Sequence, residues 1–224
     1  MHFDSPIVIT NFKTYKEATG TNALELAKQH ERLANELQIN LAIAGQAVDL
    51  QMLAAGVSIP VLAQHVDPVT HGAYTGHLPP DVLKPLGVDG SLLNHSERRL
   101  PSEMIADAVS RLRENGMFVV ICAETASEGF QFMQQFNPDY IAIEPPELIG
   151  GEVSVSNARP ELIKEAVQMI GAGKVLVGAG VKNGEDVRVA TELGAVGILV
   201  ASGVVKAENP AAVLRDLCSG FKKS

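Results

Sequence analysis

Ile141-Ala142-Ile143-Glu144-Pro145-Pro146-Glu147-Leu148-Ile149-Gly150-Gly151 reads as a strand that delivers a carboxylate to a loop. Its two β-branched isoleucines mark a short buried strand. The run ends on Glu144, and Pro145-Pro146 then bars the chain from continuing as a helix or a central strand. Leu148 and Ile149 stand at the loop tip, and Gly150-Gly151 releases it. A stiff lead-in, an apolar tip and a flexible exit describe a lid; an ordinary turn with a solvated glutamate has the same ingredients.

Outward from this stretch, the pairing of a short apolar run with a helical pattern recurs every 25 to 30 residues, roughly the length of one βα unit. Strands are expected at 6–11, 39–44, 59–64, 88–93, 117–122, 139–144, 174–177 and 196–200. The first is followed by a helical spacing of Leu24, Ala27, Leu33 and Leu37. Further helices are expected at 46–54, at 80–85 beyond a long polar loop, and from Pro101-Ser102-Glu103 to Asn115. In the last of these proline suits the first turn, and Gly116 is the stop. The remaining helical patterns end near 135 or cover 159/160–170, 184–193 and 210–217.

Strands that alternate with helices are parallel and joined by crossovers. Their near-continuous Val/Ile/Leu/Ala composition is that of strands covered on both faces. An open doubly wound sheet shares this alternation, but a count of eight favours closure into a (β/α)8 barrel, an α/β fold, over residues 1–224 as a single domain. With no low-complexity tract or linker, no domain boundary is expected. In such a barrel, chemistry sits where strands end and βα loops begin.

Composition narrows the function. A hydrophobic content of 46% suffices for a large core, and no apolar run approaches the roughly 20 residues of a membrane span. The opening Met1-His2-Phe3-Asp4-Ser5-Pro6 carries no basic apolar leader, so a cytoplasmic enzyme is expected. Two cysteines, Cys122 and Cys218, make neither a disulfide framework nor a zinc site. A net charge of −8 argues against broad binding to nucleic acid or anionic membranes. Any anionic substrate must therefore meet a local positive field.

Polar residues at the strand ends are the candidates for that field and for catalysis. Strand one ends at Asn11-Phe12-Lys13, strand four at Asn94-His95-Ser96-Glu97, and strand six at Glu144. Singly, each has an ordinary reading as a solvated cation, a satisfied histidine or a surface ion pair. A barrel brings all of them to one rim, where a base, a cation, an imidazole and an amide converge. Gly178-Ala179-Gly180 and Ala201-Ser202-Gly203 are small-residue turns leading into helical starts, suited to holding phosphate on backbone amides. The next glycine after Gly180 is Gly184, which spoils a dinucleotide fingerprint.

Asn11-Phe12-Lys13, the loop from Ala63-Gln64-His65-Val66-Asp67 to Gly72-Ala73-Tyr74-Thr75-Gly76, His95-Ser96-Glu97-Arg98-Arg99 and the stretch from Glu144 to Gly150 together resemble the triosephosphate isomerase family. The likeness runs end to end and is nearest the short archaeal branch. It implies a TIM barrel that needs no cofactor or metal, acts on a small phosphorylated triose in glycolysis and gluconeogenesis, and forms a homo-oligomer, a dimer at least or a tetramer. By the same resemblance Glu144 is the general base, His95 a neutral electrophile, Lys13 the cation facing the enediolate, and Asn11 its support. Glu97 supports Lys13, and Thr75 reaches a neighbouring subunit. Ile149, Gly150, Gly180, Ala201 and Ser202 hold phosphate. Gly180 stands where the longer branch has a serine, Gly151 where a threonine commonly follows the lid glycine, and no tryptophan is present; lid motion is where these departures bear.

A metal-dependent epimerase on the same barrel would need a His/Asp ligand set at the strand ends, and none is recognisable. A non-catalytic phosphosugar-binding protein would be expected to lack Glu144 or Lys13. His65, His71 and His77 recur at a spacing too open for a usual zinc site. Packing is the expected role of Cys122, and Glu147 is expected on the solvated face of the lid.

Overall fold

The computed structural model describes residues 6–145 and 160–221. Eight parallel strands close on themselves in chain order: β1 (Ile7–Asn11), β2 (Asn40–Gly45), β3 (Val61–Ala63), β4 (Gly90–Leu93), β5 (Phe118–Ala123), β6 (Tyr140–Ile143), β7 (Val175–Val177) and β8 (Gly197–Val200). Closure is made by β1 on β8, with Ile7 opposite Gly197 and Thr10 opposite Val200. Around them lie α1 (Thr21–Leu37), α2 (Leu50–Gly56), α3 (Pro80–Leu83), α4 (Ser102–Glu114), α5 (Ala126–Phe136), α6 (Pro160–Ile170), α7 (Gly184–Glu192), α8 (Ser202–Val205) and α9 (Pro210–Ser219).

The period of two in each strand sorts side chains between two cores. Ile7, Ile9, Ala42, Ala44, Leu62, Leu92, Val120, Cys122, Ala142, Leu176 and Leu199 fill the barrel interior, with Phe118 and Tyr140 edge-to-face within it. Alternate residues such as Ile43, Val61, Val119 and Ile141 face the helices and pack on Leu26, Leu53, Ile105 and Ala166. Both faces of every strand are thus out of water, which is why the strands show no polar alternation. Each fully buried Ile or Leu contributes roughly 1.5–3 kcal/mol by leaving water.

The boundaries differ from the sequence expectation in instructive places. The helix expected at 46–54 starts at Leu50, because 46–49 forms a turn and Asp49 Oδ2 accepts the Gly20 N–H at 3.1 Å. Pro101 caps α4 from outside rather than occupying its first turn, and Gly116 follows the helix at φ 62°. Strand β3 is only three residues long, since Gln64 turns away to bond other strand ends. The reciprocal box formed by Asn183 and Asp186 sets the start of α7.

Candidate active site

Strand parity places most of the site. Asn11 continues the inward set of Ile7 and Ile9, Glu144 that of Tyr140 and Ala142, Gly178 that of Leu176, and Ala201 that of Leu199. These residues form the layer above the barrel core, at the C-terminal ends of the strands. A cavity of about 330 Å³ opens there, lined by Asn11, Lys13, His95 and Glu144. Gly178, Gly180, Ala201 and Ser202 line it as well.

Lys13 sits at φ 46°, a left-handed conformation costing roughly 1–2 kcal/mol for a residue with a side chain. Its surroundings hold it there: its N–H donates to Asn11 Oδ1 at 3.0 Å, and its carbonyl accepts from Gln64 Nε2 at 2.9 Å. Gln64 also reaches the Ala44 carbonyl at 3.2 Å, so β2 and β3 brace the Lys13 turn. Lys13 Nζ donates to Glu97 Oε1 at 2.7 Å. The lysine is largely buried while Glu97 is largely exposed, so water screens the pair.

His95 is 9% exposed and Glu144 4%, and His95 Nε2 lies 3.3 Å from Glu144 Oε1. The Glu97 backbone N–H donates to His95 Nδ1 at 3.1 Å. That bond assigns the lone pair to Nδ1, so a neutral ring carries its proton on Nε2, on the cavity side. Glu144 Oε2 is buried without a hydrogen-bond partner among the described residues. Cys122 underlies Glu144 inside the barrel: burial, then the charge of Glu144, push its thiol well above the usual range. A neutral thiol adds no second charge beside the carboxylate.

At the other end of the cavity Gly180 stands at φ 73° and α8 begins at Ser202. The Ala201 carbonyl accepts the N–H groups of Val204 and Val205 at 3.0 Å. The N–H groups of a first helical turn have no intrahelical acceptor, which suits them to an anion. Sequence reasoning passed over Lys182, an exposed cation that also lines the cavity, and Gln64, whose partner Lys13 is 51 residues away. No pattern in the sequence marks that second pairing.

The loop after β3 is pinned at its base by Asp67. Its Oδ2 accepts the Leu78 N–H at 2.7 Å, and Oδ1 lies 3.1 Å from His65 Nε2. Burial works to raise the Asp67 pKa, but the bonds from Leu78 and His65 override it and hold it low. Burial also lowers the pKa of His65. His77 meets Tyr74 edge-on instead, and among the described residues no group of three potential ligands could hold a metal. Thr75 is exposed in this loop. Glu147, Ile149, Gly150 and the lid as a whole lie outside the described residues.

A family model described as triosephosphate isomerase matches residues 6–219. A triosephosphate isomerase of Methanothermus fervidus is 43% identical over 218 residues, covering 96% of this chain and 98% of its own. One of Methanoculleus marisnigri is 44% identical over 220 residues, covering 96% and 99%. One of Methanocaldococcus jannaschii is 40% identical over 215 residues, covering 94% and 98%.

Proposed function

Because the chain belongs to the triosephosphate isomerase family, whose members interconvert dihydroxyacetone phosphate and D-glyceraldehyde 3-phosphate, we propose how its own residues divide that reaction. The supporting observation is the 3.3 Å approach of His95 Nε2 to the buried carboxylate of Glu144, in a cavity that Lys13 also lines.

Glu144 removes a proton from the carbon beside the substrate carbonyl. The freed electron pair forms the carbon–carbon double bond, and the carbonyl oxygen becomes an enediolate oxyanion. His95 donates a hydrogen bond from Nε2 to that oxygen and moves protons between the two oxygens. Glu144 then returns its proton to the neighbouring carbon. A carboxylate can deprotonate so weak an acid only if donors and a cation are already aimed at the oxyanion. Lys13 supplies the cation, and Asn11 fixes the Lys13 backbone and donates to a substrate oxygen. Glu97 holds Lys13 through its carboxylate and His95 through its N–H. A base and a neutral imidazole dividing the work in this way is a pattern for which this family is itself the standard illustration.

Backbone groups at Gly180, Ala201 and Ser202 hold the phosphate, joined by Ile149 and Gly150 from a lid over 147–150 that excludes water during the enediolate's lifetime. The whole of 1–224 serves as one catalytic domain without metal or cofactor. The loop from His65 to His77 is too long for a simple connection, and Thr75 at its tip completes a neighbour's site, so the working unit is a homodimer or a larger assembly such as a tetramer. Among the described residues no helix is long and apolar enough to cross a membrane. A cytoplasmic enzyme without membrane or nucleic-acid partners fits this and the net charge of −8.

The test is a coupled assay of purified protein on dihydroxyacetone phosphate, with and without a chelator. Turnover indifferent to the chelator is expected. No turnover would overturn the assignment, and turnover abolished by the chelator would overturn its metal-free chemistry.

A further inference from the structure

His95 faces the cavity against the parity of its own strand. On β4, Leu92 points into the barrel and Leu93 toward the helices, so an unbroken strand would send residue 95 outward with Leu93. The alternation breaks at Asn94, whose φ is 58°. Asn94 is 2% exposed, and both ends of its side-chain amide are used. Nδ2 donates to the Cys122 carbonyl on β5 at 3.0 Å, and Oδ1 accepts the Leu100 N–H at 2.9 Å. The first bond fastens the turn carrying His95 to the next strand. The second closes the turn on itself, across the segment that also contains Glu97.

The strand on which Nδ2 pulls carries the residue beneath Glu144. Cys122 fills the barrel interior there, and the Glu144 N–H donates to the carbonyl of the adjacent Ala123 at 2.8 Å. The same two residues of β5 therefore locate His95 from one side and Glu144 from the other. Few residue types satisfy these demands. A left-handed φ is favoured by Gly, Asn and Asp. Glycine offers neither side-chain bond, and an ionised aspartate cannot donate to a carbonyl. Of these three, asparagine alone both donates and accepts.

We propose that Asn94 is a positioning residue for the isomerisation, setting the distance between His95 and Glu144 through β5. This rests on the reading of His95 and Glu144 given above. Its function is distinct from phosphate binding, which belongs to the turns after β7 and β8.

Two substitutions separate the possibilities. Asn94→Gly keeps the left-handed turn and deletes both side-chain bonds. Asn94→Asp keeps size and acceptor but replaces the donor to Cys122 with a carboxylate oxygen. The full-length variants are compared with the wild type for kcat, KM and melting temperature. Inhibition is measured with inorganic phosphate and with a hydroxamate phosphate that mimics the planar enediolate.

For Asn94→Gly, kcat should fall at least about tenfold from misplacement of the reacting pair. Its KM and phosphate inhibition should change less than about threefold, since ground-state contacts are untouched. Affinity for the enediolate mimic should fall in step with kcat. Asn94→Asp should be least active, relative to wild type, at about pH 8 and recover toward about pH 5, because burial of this position raises a carboxyl above its usual value of about 3.9 and the protonated acid can again donate to Cys122. A kcat for Asn94→Gly within about threefold of wild type overturns the proposal. So does a loss shared equally by phosphate affinity and melting temperature, which would mark general structural damage. If Asn94→Gly does not fold, a flat Asn94→Asp to wild-type ratio across that pH range overturns it. A wild-type chain without isomerase activity refutes instead the reading on which the proposal rests.

Discussion

Gly178 approaches the proposed base so closely that a single methyl group should displace it. A Cβ built on Gly178 would lie 2.6 Å from Glu144 Cγ and 3.1 Å from the Ile143 carbonyl oxygen. Carbon atoms in contact sit at about 3.5–4.0 Å, so the carboxylate stem must retreat by about 1 Å. Gly178 is not among the residues with positive φ, so alanine adds the methyl group without backbone strain. Because the other near neighbour is the backbone oxygen of Ile143, held in the strand, Glu144 is the partner that moves. A displacement of that size at a reacting group costs about 100-fold in rate. Overpacking of this kind also lowers stability by about 1–3 kcal/mol. In the coupled assay, Gly178→Ala should lose about 100-fold in kcat with KM nearly unchanged, because the base acts on the transition state and not on ground-state binding. A folded Gly178→Ala variant with kcat within about threefold of wild type would refute the placement of Glu144 as the base.

Protonation of His30 should destabilise the fold in acid. Burial pushes its pKa from 6.5 down to about 4, although Nδ1 donates to the Leu26 carbonyl and Nε2 faces Thr10 Oγ1, each at 2.8 Å. The folded chain then binds fewer protons than the unfolded one below pH 6.5. The contribution is fully present above pH 6.5 and is lost as pH falls toward 4, on the order of 3 kcal/mol in total. His30→Leu should flatten the melting temperature across that window, and an unaltered slope would contradict this. Lys13→Met should raise KM and lower kcat together, since the cation meets both substrate and enediolate; changes below about threefold in each would exclude that role. Excising 68–76 should give a folded, poorly active monomer by sedimentation and assay, whereas a fully active monomer would rule out the contribution of Thr75 across subunits.

The barrel was legible because its strands are buried on both faces and its crossovers repeat. Ile141–Ile143 and Val119–Ile121 could be read without knowing their neighbours. Boundaries were less legible where a side chain takes a long-range partner: Asp49 bonds Gly20 and delays α2, and Gln64 bonds Lys13 and shortens β3. The rim residues Asn11, Lys13, His95 and Glu144 were legible as polar residues at the ends of apolar strands. Their supports were not. Asn94 looks like one more polar residue in a turn until its bond to Cys122, 28 residues on, is seen. The left-handed backbone of Lys13 has no signature in residue type, because lysine is not a residue that favours it.

Proton abstraction by Glu144 is the central claim, and Glu144→Gln tests it most directly. The amide keeps the size of the side chain and can still meet His95, but it cannot accept the carbon-bound proton. With dihydroxyacetone phosphate in deuterated solvent, deuterium incorporation and isomerisation should fall together, by at least about 100- to 10,000-fold. KM should stay within about threefold of wild type. A folded Glu144→Gln enzyme that retains more than about a tenth of wild-type exchange or turnover would show that another group removes the proton.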